Sequence, residues 1–375
     1  MRSSAVPAAL ARLAAAMVML VAGALAQAAP TLRVLAWPGY ADPDIVKRFE
    51  EQHHVKVQVS IVSSDESLWE RVNAHGGDDY DVFAVNTAEL KRYVDAALVV
   101  PLNLANIPNA KAQLPRFSDR EAIPNLMREG RLYALPYTWS EMGVIYDRKQ
   151  VKEPPTSISA LWDPQYRGRV LAFDTSGHNF SIAALALGKN PFRIDEASYP
   201  EVVRHLVALR RNVLTFYSLP EEAVELFRQQ RVALVFANYG TQQVQQLKQA
   251  GADIGYVIPR EGALAWLDCW TIARGARDKA LAEAWINHML ERSVSMALTE
   301  RQGLANTVVN TRKEDPAAKI LWLEPVEDPE RRAALWARIR SGSRMNVRPR
   351  ALRARPPRGR ATALGRPGDS RHAAP

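Results

Sequence analysis

A regular alternation of strand and helix patterns along the first hundred residues constrains the fold most. The segment 32-LRVLAW-37 alternates as a strand does and stops at Pro38-Gly39. Next, 42-DPDIVKRFEEQHH-54 reads as a helix, with Asp42 at its cap, Pro43 in its first turn, and Ile45, Val46 and Phe49 on one face. The pattern recurs as 55-VKVQVSIV-62, 65-DESLWERVNAH-75, 80-YDVFAVN-86 and 88-AELKRYVDA-96. Strands separated by helices imply an α/β lobe with a largely parallel sheet.

A second series begins near 132-LYALPYTWSEMGVIYDR-148. It runs through the strand 169-RVLAFD-174 and the helices 179-NFSIAALALG-188, 199-YPEVVRHLVALRR-211 and 220-PEEAVELFRQQ-230. Then come the strand 232-VALVFAN-238, the helix 241-TQQVQQLKQAG-251, the strands 254-IGYVIP-259 and 263-ALAWLDCWTI-272, and the helix 276-ARDKALAEAWINHML-290. A chain of 375 residues has room for two such domains.

The two ends read differently. Arg2 and Arg12 precede an apolar run from Leu13 to Leu25, and Ala26-Gln27-Ala28 offers a small-residue cleavage site. This is the pattern of a secretory signal peptide over residues 1–28. A membrane anchor is the competing reading, but the run is shorter than the roughly 20 residues a span needs. No Cys follows it, which argues against a lipid-anchored protein. From Ser341 to Pro375 the chain is Arg-, Pro-, Gly- and Ala-rich, a composition expected to be disordered.

Those ends also account for the formal charge of +9. The tail holds nine Arg against one Asp and the leader two Arg, which leaves residues 29–340 at −1. No basic field therefore points the body towards nucleic acid. Cys269 is the only cysteine, so neither an intramolecular disulfide nor a thiolate metal cluster is available. No G-x-S-x-G, H-E-x-x-H or P-loop motif occurs, and the seven His are not spaced as metal ligands.

Within 263-ALAWLDCWTI-272, strand alternation puts Trp266, Asp268 and Trp270 on one face. A buried carboxylate between indoles needs a partner. Either a ligand ammonium or a protein Arg or Lys meets that need.

The phrases LRVLAWPGY, YDVFAVN, GRLYALPYTWSEMGVIYDR, LWDPQYRGRVLAFD and EGALAWLDCWTIARGARDKALAEAWINHML, in this order over residues 31–325, resemble a bacterial extracellular solute-binding protein. They look most like the spermidine/putrescine-binding subgroup of ATP-driven importers. The resemblance implies a two-lobed periplasmic-binding-protein fold of type II, with the solute in the cleft between α/β lobes. One lobe would take residues 31–137 and 267–313, the other 138–266 and 314–340. It also implies a periplasmic monomer that serves an inner-membrane permease, takes no cofactor and catalyses no reaction.

Carried over residue by residue, the resemblance makes Trp37 and Tyr40 an aromatic pair lining the cleft. Trp266 and Asp268 become an aromatic wall and an amine anchor, suited to cation–π contact and a charge-assisted hydrogen bond. The chain departs from the subgroup elsewhere. In 173-FDTSGHNF-180, Thr175 and His178 stand where two acids are expected, with Asp174 nearby. Asn238 replaces an aromatic, for which Tyr239 is a substitute, and Asn86 and Thr87 stand near a missing tyrosine. Glu141 lies where small residues are usual, as a ligand contact or a solvated edge.

The Thr175-Ser176-Gly177 turn opens a helix whose free N–H groups would suit an anion. The solute is therefore expected to be cationic, or zwitterionic with an anionic far end. Two alternatives remain at this level: a metal solute held near Tyr239 and His178, and a hydrolase using Asp268 and Glu141 as a carboxylate pair.

Overall fold

The computed structural model describes residues 29–311 and 317–342. The leader expected over 1–28 and the tail from residue 343 onward lie outside these residues.

The first lobe is built by the opening alternation. Strand β1 (Thr31–Ala36), helix α1 (Pro43–His53), β2 (Lys56–Ile61), α2 (Asp65–Asn73), β3 (Val82–Asn86) and α3 (Thr87–Asp95) follow in order. Leu32, Val34, Phe49, Leu68, Phe83 and Leu90 are among the apolar side chains buried between these elements. Each helix start has a local cause. Pro43 fixes φ in the first turn of α1. The Ser64 side chain accepts from Ser67 N–H for α2, and the Asn86 side chain accepts from the N–H groups of Ala88 and Glu89 for α3.

Two short strands, β4 (Val99–Val100) and β14 (Ala305–Asn306), the hairpin of β5 (Met127–Arg128) with β6 (Arg131–Leu132), and the short helix α4 (Pro115–Ser118) complete the periphery. The first sheet runs β14-β7-β13-β3-β1-β2, where β7 is Ala134–Met142 and β13 is Ala263–Ala273. Strand β1 is parallel to β2 and β3, as the alternation implies. Strand β13 is antiparallel to both β3 and β7, so the sheet is mixed.

The second lobe contains β8 (Val144–Asp147), β9 (Val170–Phe173), α5 (Ser176–Ala186), α6 (Tyr199–Asn212), β10 (Val213–Tyr217), α7 (Pro220–Gln229), β11 (Leu234–Phe236), α8 (Thr241–Gln249) and β12 (Ile254–Val257). Its sheet order is β10-β9-β11-β8-β12. After β13 the chain forms α9 (Lys279–Met289) and α10 (Arg292–Gln302). It then forms β15 (Ile320–Trp322), which pairs with β13, and α11 (Pro329–Ser341), which packs on α5 and α6.

The lobe boundaries expected at 137/138 and 266/267 need correction. The ladder between β7 and β13 runs within one sheet from Leu264↔Met142 to Thr271↔Ala134, with one shift of register between Asp268 and Cys269. A ladder cannot be divided between two sheets, so 138–142 and 263–266 belong to the first. The changeover falls at Gly143. A Cβ there would lie 2.4 Å from the Val257 carbonyl oxygen and 2.7 Å from the Tyr256 ring, so only glycine fits. Gly143 N–H donates to Tyr256 Oη (3.0 Å), and that hydroxyl lies 2.8 Å from the Glu141 carbonyl.

Candidate functional site

The carboxyl ends of β1, β3, β9 and β11 deliver Trp37, Asn86, Thr175 and Asn238 to the gap between lobes, the usual place for a ligand in open α/β sheets. Strand β13 of the first sheet lies between β3 and β7 and brings Trp266 and Asp268 to this gap. In register, Asp268 sits opposite Asn86 on one side and Thr138 on the other, and Trp266 sits opposite Ser140.

A chamber of about 30 Å³ lies there, lined by Trp37, Tyr40, Asn86, His178, Tyr239, Trp266 and Asp268, together with Asp65, Phe173, Asn238 and Gln242. Seven of the ten residues expected in the site therefore converge. Tyr40 Oη donates to Asp268 Oδ2 at 2.6 Å. Asp268 is 6% exposed, and among the described residues its Oδ1 accepts no hydrogen bond and no Arg or Lys comes within ion-pair distance. Burial pushes its carboxyl up to about 7, with the Tyr40 hydroxyl opposing. Burial also raises the Tyr40 phenol well above its ordinary value, which keeps it a donor.

The indoles are anchored edge-on. Trp37 Nε1 donates to the Ala84 carbonyl (3.1 Å), and Trp266 Nε1 donates across the cleft to the Asn238 carbonyl (3.0 Å). Tyr239 donates to the Ser218 carbonyl (2.7 Å) and meets the Phe173 ring edge-on, with centroids 5.4 Å apart. Trp270 is fully buried against Tyr137 and Trp285, outside the chamber.

Three expected residues do not line this chamber. Asp174 binds Trp336 Nε1 (2.9 Å) and Arg340, so it ties α11 to the second lobe. Glu141 is paired in register with Ala265, one residue out of step with Trp266 and Asp268. Strand alternation therefore sends it to the opposite face of the sheet. That separation removes the carboxylate-pair geometry on which the hydrolase alternative rested. Thr175 is held by a carboxylate of the other lobe, its hydroxyl lying 3.1 Å from Glu66 Oε2.

Glu66 lies where the anionic end of a ligand was expected. Its Oε1 accepts the Ser176 backbone N–H at 2.9 Å, and the Ser176 hydroxyl donates to it as well. The Ser176 N–H and hydroxyl and the Thr175 hydroxyl at the head of α5 are thus bound by the protein's own carboxylate. Burial works against that charge, but the bonds from Ser176 and Thr175 outweigh it and hold the Glu66 carboxyl below its ordinary value.

Asp65, Glu66 and Glu89 were not singled out in the sequence. Asp65 Oδ1 accepts from Asn86 Nδ2 (3.0 Å), and its Oδ2 lies 3.7 Å from His178 Nε2. Burial, then the charge of Glu66, pushes Asp65 up to about 7, while burial and then Asp65 do the same to Glu89. Burial lowers the His178 pKa, and its Nδ1 is 2.6 Å from Asn238 Oδ1. The cleft is thus acidic on its first-lobe side and neutral on its second. No group of three or more His, Cys, Asp or Glu among the described residues is arranged to hold a metal ion. No described helix is long and apolar enough to cross a membrane.

Residues 44–320 match the family model for bacterial extracellular solute-binding proteins. Spermidine/putrescine-binding periplasmic protein 1 of Haemophilus influenzae is 26% identical over 310 residues, covering 82% of each chain. A putrescine-binding periplasmic protein of Escherichia coli is 25% identical over 353 residues, covering 85% of this chain and 94% of its own. Among solved structures, a Listeria monocytogenes protein named for a spermidine/putrescine ABC transporter superposes with a TM-score of 0.73 at 20% identity. That match covers 83% of this chain and 98% of the other. The chain belongs to the bacterial extracellular solute-binding protein family.

Proposed function

We propose that the protein is the periplasmic receptor of an ABC importer, which captures a small amine-bearing solute between its lobes and delivers it to an inner-membrane permease. The observation that carries this reading is Asp268. It is a buried carboxylate with one oxygen held by Tyr40, and it lines a chamber walled by Trp37 and Trp266. An unpaired buried charge is costly, and an ammonium group supplies the missing charge while the indoles cover its methylenes. The names of the relatives, spermidine/putrescine- and putrescine-binding proteins, support the same class.

A zwitterionic solute is the weaker reading, because the Glu66 carboxylate already sits on the Ser176 N–H and hydroxyl at the head of α5. Native mass spectrometry followed by calorimetric titration with putrescine, spermidine and neutral amino acids tests the proposal. Amines should bind the wild type. Asp268→Asn should weaken them by roughly 1.5–3 kcal/mol, the usual contribution of a hydrogen bond to a charged group. Binding of amino acids alone, or amine affinity indifferent to Asp268→Asn, would reject it.

A further inference from the structure

The turn that carries two chamber residues is held from both lobes. In Trp37-Pro38-Gly39-Tyr40 the Tyr40 N–H returns to the Trp37 carbonyl (3.2 Å), and Gly39 takes φ +81°, as the third residue of a type II turn requires. From the first lobe, Trp37 Nε1 donates to the Ala84 carbonyl, Tyr40 Oη to Asp268, and Tyr137 Oη to the Tyr40 carbonyl (3.2 Å). From the second lobe comes Gln242, in the first turn of α8 and 1% exposed. Its Nε2 donates to the Pro38 carbonyl at 3.1 Å.

The sense of this contact is fixed by a carboxylate. Asp42, just ahead of α1 and ion-paired with Arg301 at 3.1 Å, can only accept. Gln302 therefore turns its Nε2 to Asp42 Oδ1 (3.2 Å) and its Oε1 to Gln242. Gln242 Nε2 then faces two acceptors, the Pro38 carbonyl and Gln302 Oε1 at 3.2 Å, and donates to both. Gln302 ends α10, which Arg301 fastens to Asp42 and Asp44 of the first lobe. The two amides close over Gly39, where a Cβ would lie 2.5 Å from Gln302 Oε1 and 2.7 Å from Gln242 Nε2. Gln245, one turn along α8, donates to the Glu300 carbonyl (3.0 Å), a bond between the lobes that does not reach the turn.

We propose that Gln242 is a positioning residue for solute binding, which locks the Trp37–Tyr40 turn when the second lobe docks on the first. This rests on the reading of an amine held between the lobes and adds to it a residue that acts through the turn. Trp37 and Tyr40 stand at the two ends of the turn, and both line the Asp268 chamber. The peptide between Pro38 and Gly39 is the central one, whose rotation converts a type II turn into type I. Gln242 grips the oxygen of that peptide from the other lobe. Closure thus fixes the aromatic wall and opening frees it. Gln242 slows the release of a bound solute and leaves capture by the open form unchanged.

The test is stopped-flow binding of putrescine and spermidine, with calorimetric affinities, in the wild type, Gln242→Ala, Gln245→Ala, Trp37→Phe and each glutamine variant combined with Trp37→Phe. Gln242→Ala should raise the dissociation rate at least about fivefold, as loss of a neutral hydrogen bond implies, and leave the association rate within about twofold. The affinity losses from Gln242→Ala and Trp37→Phe should combine to less than their product, since one acts through the other. Those from Gln245→Ala and Trp37→Phe should multiply, as independent sites do. Melting of each ligand-free variant checks its folding, and Gln242→Met, of nearly the same length, replaces Gln242→Ala if that variant does not fold. Amine binding with an unchanged dissociation rate, or with Gln242 and Trp37 effects that multiply, overturns the Gln242 assignment and leaves the amine reading standing. A wild type that binds neither amine overturns both.

Discussion

Glu66, at the head of α2 in the first lobe, accepts the Ser176 backbone N–H at 2.9 Å from the head of α5 in the second. A carboxylate is favoured at the positive end of a helix dipole. Here carboxylate and helix belong to different lobes, so under the proposed capture between lobes the contact would form on closure and break on opening. Domain closure round a solute is a hinge motion, and this pair would then set part of its equilibrium.

Replacing Glu66 by Ala should therefore favour the open form. Hydrogen bonds to a charged group contribute about 1.5–3 kcal/mol, and a closure weakened by ~1.4 kcal/mol lowers affinity about tenfold. Solution scattering of the ligand-free variant should give a larger radius of gyration than the wild type, and titration should give weaker solute binding. Equal radii would show that the pair does not hold the lobes together.

The raised carboxyls give a pH dependence with a definite sign. Asp268, Asp65 and Glu89 are each pushed up to about 7, chiefly by burial. Between the ordinary carboxylate value near ~4 and 7, the folded state keeps protons that the unfolded chain has released. These groups thus stabilise the ligand-free protein less as pH rises through that window. The melting temperature of Asp268→Asn, relative to wild type, should climb from pH 4.5 to 7.5. An ammonium solute favours the ionised form, so amine affinity should rise over the same range, and binding at pH 6 should release protons. Calorimetry in two buffers of different ionisation enthalpy reads that release directly, and proton uptake would contradict it.

At the changeover between sheets, Gly143→Ala puts a methyl group 2.4 Å from a backbone oxygen that cannot rotate away. Overpacking of this kind costs about 1–3 kcal/mol. The variant should melt at a lower temperature and show a smaller tryptophan fluorescence change on adding solute, because the strained segment joins the lobes. A wild-type melting curve would mean that the crossing relaxes freely.

The first lobe and the Asp268 half of the site were legible because local pattern determined them. The β1–α1–β2–α2–β3–α3 series carries its own caps and apolar faces, and Trp266 and Asp268 share a face by strand alternation alone. Glu141 was ambiguous until its partner in register was known, since one residue of slip reverses a strand's faces. Asp65 and Glu66 were hidden for another reason. Two acids in the first turn of a helix are ordinary, and Ser64 already caps α2. Nothing local says that this turn faces Ser176, more than a hundred residues away. Asp174 misled because its neighbours suggested the cleft, while its partners Trp336 and Arg340 come from the last helix.

That reassignment of Asp174 separates stability from binding. Trp336 is buried, meets the Phe216 ring edge-on at 4.9 Å, and donates to Asp174 Oδ1. Trp336→Ala should cost about 3–5 kcal/mol, as large-to-small substitutions of buried aromatics do. Asp174→Ala leaves the indole N–H without its acceptor, which costs about 1–3 kcal/mol. Denaturant titration should place both midpoints below the wild type, in that order. Amine affinity of the folded Asp174→Ala protein should stay within about twofold, because α11 fastens to the lobe's outer helices rather than to the Asp268 chamber. A variant with wild-type stability and weakened amine binding would return Asp174 to the cleft.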